Sequence, residues 1–186
     1  MIRHVAVVLA ALALAANAHA ATLVYTTVAD GAHSSPPNAS AGIANIQLTV
    51  DTAVHTMRVQ ADFTGMIGTA VAAHVHAPTA VPFTGSANAA TVVPTFTGFP
   101  TGVTSGAYDH TYDMTLASSY NAEFLADYGG DTSVAESVLL QAVAESRAYF
   151  VLHTSAYPNG ELRGWFAPAA TPVRASTWAR LKALYR

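Results

Sequence analysis

The sequence predicts an all-β domain with a short helical insertion before its last two strands. Two observations carry this. Short runs rich in Val, Thr and Tyr alternate with clusters of turn residues, from Thr22 to Leu116 and again from Ala148 to Phe166. Within several runs, apolar and polar residues alternate with the period of two that buries one face of a strand. Between the two regions, over residues 118–147, the apolar spacing becomes helical.

The elements follow in order. Thr22–Val28 opens the domain as a strand. Ile43–Val50 alternates regularly and reads as half-buried, and Thr56–Phe63 continues it through a hairpin turn at Asp51–His55. Val71–Ala77 is the next strand. Residues 78–105 are rich in Ala, Thr, Pro and Gly and carry no charge; they read as a long loop with one strand at Ala90–Thr97. Tyr108–Leu116 alternates again. Ser118–Asp127 and Thr132–Arg147 have helical spacing. In the second, Val134, Leu139 (or Val138), Ala142 and Val143 are expected to face the core. Asp131 or Thr132 is placed to cap it, and Glu136 in its first turns to favour the helix dipole. Ala148–His153 and Glu161–Phe166 close the domain around Pro158-Asn159-Gly160, where Asn and Gly tolerate positive φ.

The chain has 186 residues, enough for one domain with a substantial core. Residues 1–20 read as a signal peptide: a basic start at Arg3, an apolar run from Val5 to Ala16, and Ala18-His19-Ala20 as the small-x-small cleavage site. Ala21 is then the mature N-terminus, residues 21–168 form the domain, and residues 169–186 form a basic tail. This predicts a secreted, periplasmic or cell-surface protein with no membrane span in the mature chain. Cysteine is absent, so the domain depends on packing and hydrogen bonds, and any metal must be held by His and carboxylates. Between 21 and 170, Arg58, Arg147 and Arg163 face eleven acids, a net charge of −8, which argues against nucleic-acid binding.

Histidine placement is the main chemical signal. His74 and His76 lie two apart on a strand, so both imidazoles project from one face. His153 lies on a later strand. Three imidazoles converging from two strands match the first shell of copper, zinc or nickel. The competing reading is a structural hydrogen-bond network in which Thr154, Glu161 and Arg163 satisfy buried histidines. On that reading Glu161 and Arg163 form a buried charged pair, two apart on one strand, while Arg58 is at the surface. His33, His55 and His110 read as surface or loop residues. No G-x-S-x-G nucleophile turn and no glycine-rich phosphate loop is present.

Two segments carry a family resemblance. Ala73-His74-Val75-His76-Ala77-Pro78 and Phe150–Gly164, with its His153-Thr154, Pro158, Gly160-Glu161-Leu162-Arg163-Gly164, resemble the hallmarks of the CHRD domain. Asp30–Gly42, with Pro36-Pro37, is similar to that domain's entry loop, without its usual glutamate. The resemblance spans about residues 22–168. It implies an antiparallel, Greek-key-like β-sandwich and an exported binding or structural module rather than an enzyme.

A second resemblance, to the copper half of Cu/Zn superoxide dismutase, follows the order His74, His76, His153, Arg163. It implies copper ligation by the three histidines and attraction of anions by Arg163. The bridging histidine, the zinc subsite and the bracing cysteines of that enzyme have no counterpart here. Thr171–Ala179 resembles the start of a PEP-CTERM sorting tail, which implies cell-surface association, but lacks its Pro-Glu-Pro and its apolar span.

Overall fold

The computed structural model describes residues 22–169. The expected signal peptide and nearly all of the basic tail lie outside the described residues. The chain forms β1 (Thr22–Asp30), β2 (Ile43–Asp51), β3 (Thr56–Thr64), β4 (Ala70–His76) and β5 (Gly106–Asp113). A single 3-10 turn at Ala117–Ser119 precedes α1 (Ala122–Asp127) and α2 (Thr132–Ala144). β6 (Tyr149–Thr154), β7 (Leu162–Trp165) and the two-residue β8 (Ala167–Pro168) end it. The expected all-β class holds, with the helices between β5 and β6.

The strands make one antiparallel sheet in the order β4-β6-β7-β1-β2-β3-β5, with β8 also on β1. Hydrogen bonding thus runs unbroken where the sequence resemblance implied two packed sheets. The sheet curls into a half-barrel, and its two ends meet through the loop between β4 and β5. Phe96 in that loop stacks on Phe150 of β6 at 6.5 Å and on Tyr108 of β5 at 5.9 Å. Aromatic pairs at these separations add to the area they bury.

β1, β2 and β3 form a regular meander in full register from Thr22↔Asp51 to Ile43↔Thr64. The period-two pattern fixes that register: Ala44, Ile46, Leu48 and Val50 are buried opposite Phe63, Ala61, Val59 and Met57. A one-residue slip would turn every one of them outward. Arg58 stands on the exposed face, as expected, and its Nε donates to Asp109 Oδ1 at 2.7 Å.

Two elements differ from expectation. No strand forms at Ala90–Thr97. Thr91 and Thr95 instead turn their hydroxyls toward β4 and accept from the amides of Val75 (3.0 Å) and Ala73 (2.9 Å). The amides of Ala90 and Phe96 donate back to the carbonyls of Val75 and Ala73. The loop thereby covers the free edge of β4, a position that natural sheets protect against pairing with other chains. The helical stretch at Ser118–Asp127 breaks at Tyr120-Asn121, and Asn121 caps α1 by accepting from the Glu123 amide.

α2 is capped by Asp131, which accepts from the amides of Ser133 and Val134. Its core face is Ala135, Leu139, Ala142 and Val143. Val134 is exposed, contrary to expectation, because the buried stripe runs through the next residue. Glu136 is buried on α2 and contacts His55 Nδ1 at 2.7 Å through Oε2, so it holds the β2–β3 turn rather than facing the solvent end of the helix. Gly160 turns the β6–β7 hairpin at φ +117°, a value that requires glycine.

Candidate metal centre

The arm β4-β6-β7 places the site. Residues paired directly across a ladder share a face. His76, Tyr149 and Trp165 form one row, and His74, Val151 and Arg163 the next; His153 lies opposite Ala72. The other face of the arm is core: Ala73, Val75, Phe150, Leu152 and Leu162 are buried. Alternation therefore separates chemistry from packing within the same strands.

The three expected histidines come together. The ring centroids of His74 and His153 are 5.3 Å apart, those of His74 and His76 5.7 Å, and those of His76 and His153 6.0 Å. One ring nitrogen of each lies within 4.8 Å of one from each of the others. Nitrogens bound to one tetrahedral ion at about 2.0–2.1 Å sit about 3.4 Å apart, so the rings need to close by no more than about 1.4 Å.

Each ring is oriented by a backbone carbonyl. His74 Nε2 lies 2.7 Å from Pro94 O, His76 Nδ1 2.9 Å from Ala87 O, and His153 Nδ1 2.8 Å from Pro158 O. A carbonyl can only accept, so in each ring the nitrogen facing it carries the hydrogen. The opposite nitrogens, His74 Nδ1, His76 Nε2 and His153 Nε2, are buried and have no partner. Burial lowers the pKa of all three imidazoles below the usual 6.5, that of His76 to about 4. At neutral pH all three rings are neutral, and the three unpartnered nitrogens hold lone pairs.

The expected partners of these histidines are placed differently. Glu161 is fully buried, but its carboxylate hydrogen-bonds to none of the three histidines. It accepts from Ser40 Oγ (2.5 Å), the Ile67 amide (2.6 Å), the Gly68 amide (3.0 Å) and Thr154 Oγ1 (2.7 Å). Thr154 thus joins Glu161, and neither side chain hydrogen-bonds a histidine, where the expected network had both satisfying the imidazoles. The expected Glu161–Arg163 pair does not form. Glu161 precedes the β6–β7 ladder, which begins at Leu162, and its amide bonds Leu152 O at 2.8 Å. Arg163 instead lies over the rings of Tyr149 (3.8 Å) and Trp165 (4.5 Å) and donates through one terminal nitrogen to Gly85 O. His76 stacks on the same Tyr149 at 5.1 Å.

The remaining histidines are elsewhere. His33 Nδ1 contacts Asp30 Oδ1 at 2.7 Å, and His55 is held by Glu136. His110 is on β5, at the opposite end of the strand order from β4. The sequence did not disclose the three carbonyls that orient the triad or the aromatic pair under Arg163. A same-face reading of Tyr149, Val151 and His153 with Arg163 and Trp165 carries part of the latter signal.

A family model described as the CHRD domain matches residues 25–166. No curated protein and no solved structure matches the chain.

Proposed function

The chain belongs to the CHRD-domain family, and from that premise we propose that it is an exported, non-enzymatic binding module whose binding centre is a mononuclear copper or zinc site on His74, His76 and His153. Export is supported by the signal-like segment at residues 1–20 and by the occurrence of CHRD domains in extracellular or periplasmic proteins. No helix among the described residues is long and apolar enough to cross a membrane.

The observation that carries the metal reading is the set of three buried, unpartnered ring nitrogens, each opposite a nitrogen tied to a carbonyl. Buried polar atoms are nearly always satisfied. A network evolved for stability alone would use both sides of each ring. Histidine ligands characteristically donate their outer nitrogen to a carbonyl or carboxylate and leave the inner one for the ion. Three neutral imidazoles suit copper and zinc. Superoxide dismutation is not part of the proposal, because among the described residues no fourth histidine or carboxylate joins the triad. On this reading, structural hydrogen bonding is left to Glu161 and Thr154, whose bonds do not include the histidines.

Isothermal titration of the mature protein with Cu(II) and Zn(II) tests this. One saturable site per chain is expected. His76→Ala should abolish it and His55→Ala should leave it intact. An absence of saturable heat with both metals overturns the reading. Proton competition supplies a second check, because a ligand imidazole must be deprotonated. Affinity should be level above about pH 6.5 and fall toward pH 4, where His76 is the last of the three to protonate.

A further inference from the structure

A second cleft, of about 330 Å³, adjoins the triad and is lined by Ser34, Ser35, Phe83, Ser86, Arg163 and Trp165. That volume falls at the small end of the range for small-molecule sites. Arg163, Ser34, Ser35 and Ser86 also line the cleft that holds His76 and His153, so the two spaces share a wall.

Three features of this cleft point to one kind of ligand. The first is charge. Of the three arginines in the described residues, Arg58 pairs with Asp109 and Arg147 with Glu145, but Arg163 pairs with no described carboxylate. Its Nε is buried without a partner, and the residue is only 6% exposed. Asp30, directly across the ladder from Arg163, is turned to His33 instead. A buried guanidinium with a free donor and no counter-ion is costly unless an anion supplies the missing acceptor.

The second is shape. Phe83 stands 59% exposed at the cleft, with its backbone at φ +57°. A bulky residue rarely adopts that left-handed conformation, and such residues concentrate at ligand-binding sites. The Phe83 amide donates to Ser146 O at 2.9 Å, which anchors the loop backbone that carries the exposed ring. The third is Trp165, a second aromatic side chain in the lining, with the Arg163 guanidinium over its ring at 4.5 Å.

We propose that this cleft binds a small organic carboxylate with a flat, apolar body, its carboxylate on Arg163 and the Ser35 and Ser86 hydroxyls and its body against Phe83 and Trp165. The site does not depend on a metal at the triad. Arg163 supplies a directional charge for the carboxylate, and the two aromatic rings supply apolar contact for the body.

Benzoate titrated into metal-free mature protein, followed by NMR of backbone amides and the Arg163 Nε–H, is the test, with acetate and phosphate as parallel arms. Saturable shifts at Ser86 and Arg163 are expected with benzoate, at least fivefold weaker with acetate and with phosphate. Acetate or phosphate binding as tightly as benzoate overturns the proposal, the first by removing the role of the flat body and the second by making this an inorganic oxyanion site. Arg163→Gln should remove the response. Should that variant fail to fold, Phe83→Ala, altered at an exposed ring, decides the matter. A fivefold or greater weakening of benzoate upholds the proposal, and unchanged affinity overturns it. Chelator is present throughout, so a failed copper titration and a failed benzoate titration remain separate results.

Discussion

Glu161→Ala is expected to destabilise the domain by about 3–5 kcal/mol, measured by urea unfolding at pH 7. The carboxylate is fully buried and joins three separate stretches of chain: Ser40 in the entry loop, Ile67 and Gly68 between β3 and β4, and Thr154 at the end of β6. Its removal strands two backbone amides, each at a cost of roughly 1–3 kcal/mol, and leaves a cavity. The two hydroxyls can rotate to other acceptors, so they add less. Asp109→Ala, which removes the exposed partner of Arg58, should leave the unfolding midpoint nearly unchanged, because solvent screens that pair. Equal losses for the two variants would show that Glu161 does not hold these loops together.

The same carboxylate gives the protein an acid-sensitive component. Burial acts to raise its pKa, but the hydrogen bonds from Ser40, Gly68, Ile67 and Thr154 outweigh it and bring the pKa below the usual 4.5. The unfolded chain therefore takes up this proton first. The stabilisation is fully present above about pH 4.5 and is lost as pH falls through the lowered folded value. Glu161→Gln should lack this portion of the acid transition.

Gly164→Ala is expected to destabilise by about 3 kcal/mol or more, because overpacking against backbone has no cheap relief. A Cβ at Gly164 would stand 2.8 Å from Val28 O and 2.9 Å from Ala29 Cα, and would also strike the Thr27 hydroxyl. Backbone atoms at such distances must move. The movement would open the seam between β7 and β1, which is paired in register only at Asp30↔Arg163. Gly129→Ala is a poor comparison because its positive φ adds strain; Ser137→Ala, on the exposed face of α2, is the neutral control. Thermal unfolding that placed Gly164→Ala within a degree of Ser137→Ala would show that the seam tolerates separation.

Alternation made the sheet legible. Ile46, Leu48, Val59 and Ala61 declare their buried face by spacing alone, and His74 and His76 declare theirs on β4 in the same way. Convergence with His153 was legible as a possibility of spacing and became definite only through the β4–β6 register. The misreadings have specific causes. In α2 two apolar stripes one residue apart compete, and tertiary packing chose the one through Ala135 and Leu139 over the one through Val134. The β-branched cluster at Ala90–Thr97 has strand composition, but its threonine hydroxyls do the pairing that a strand backbone would do. Glu161 and Arg163 keep strand spacing, yet only Arg163 lies within the ladder. Main-chain carbonyls such as those of Pro94, Ala87 and Pro158 leave no mark in a sequence, because every residue has one.

The loop that covers β4 does two jobs at once, and the jobs are mechanically coupled. Ala73 and Val75 are clasped by Thr95, Thr91, Phe96 and Ala90. The same loop holds the His74 and His76 rings through Pro94 and Ala87. A foreign strand seeking to add itself to β4 would have to peel this segment away. Peeling it would free both rings to rotate and to exchange tautomers, dispersing the lone pairs that converge on the triad. A metal held at the triad as proposed would pin both rings and oppose that peeling, so the metal-free protein is expected to be the form more prone to strand exchange.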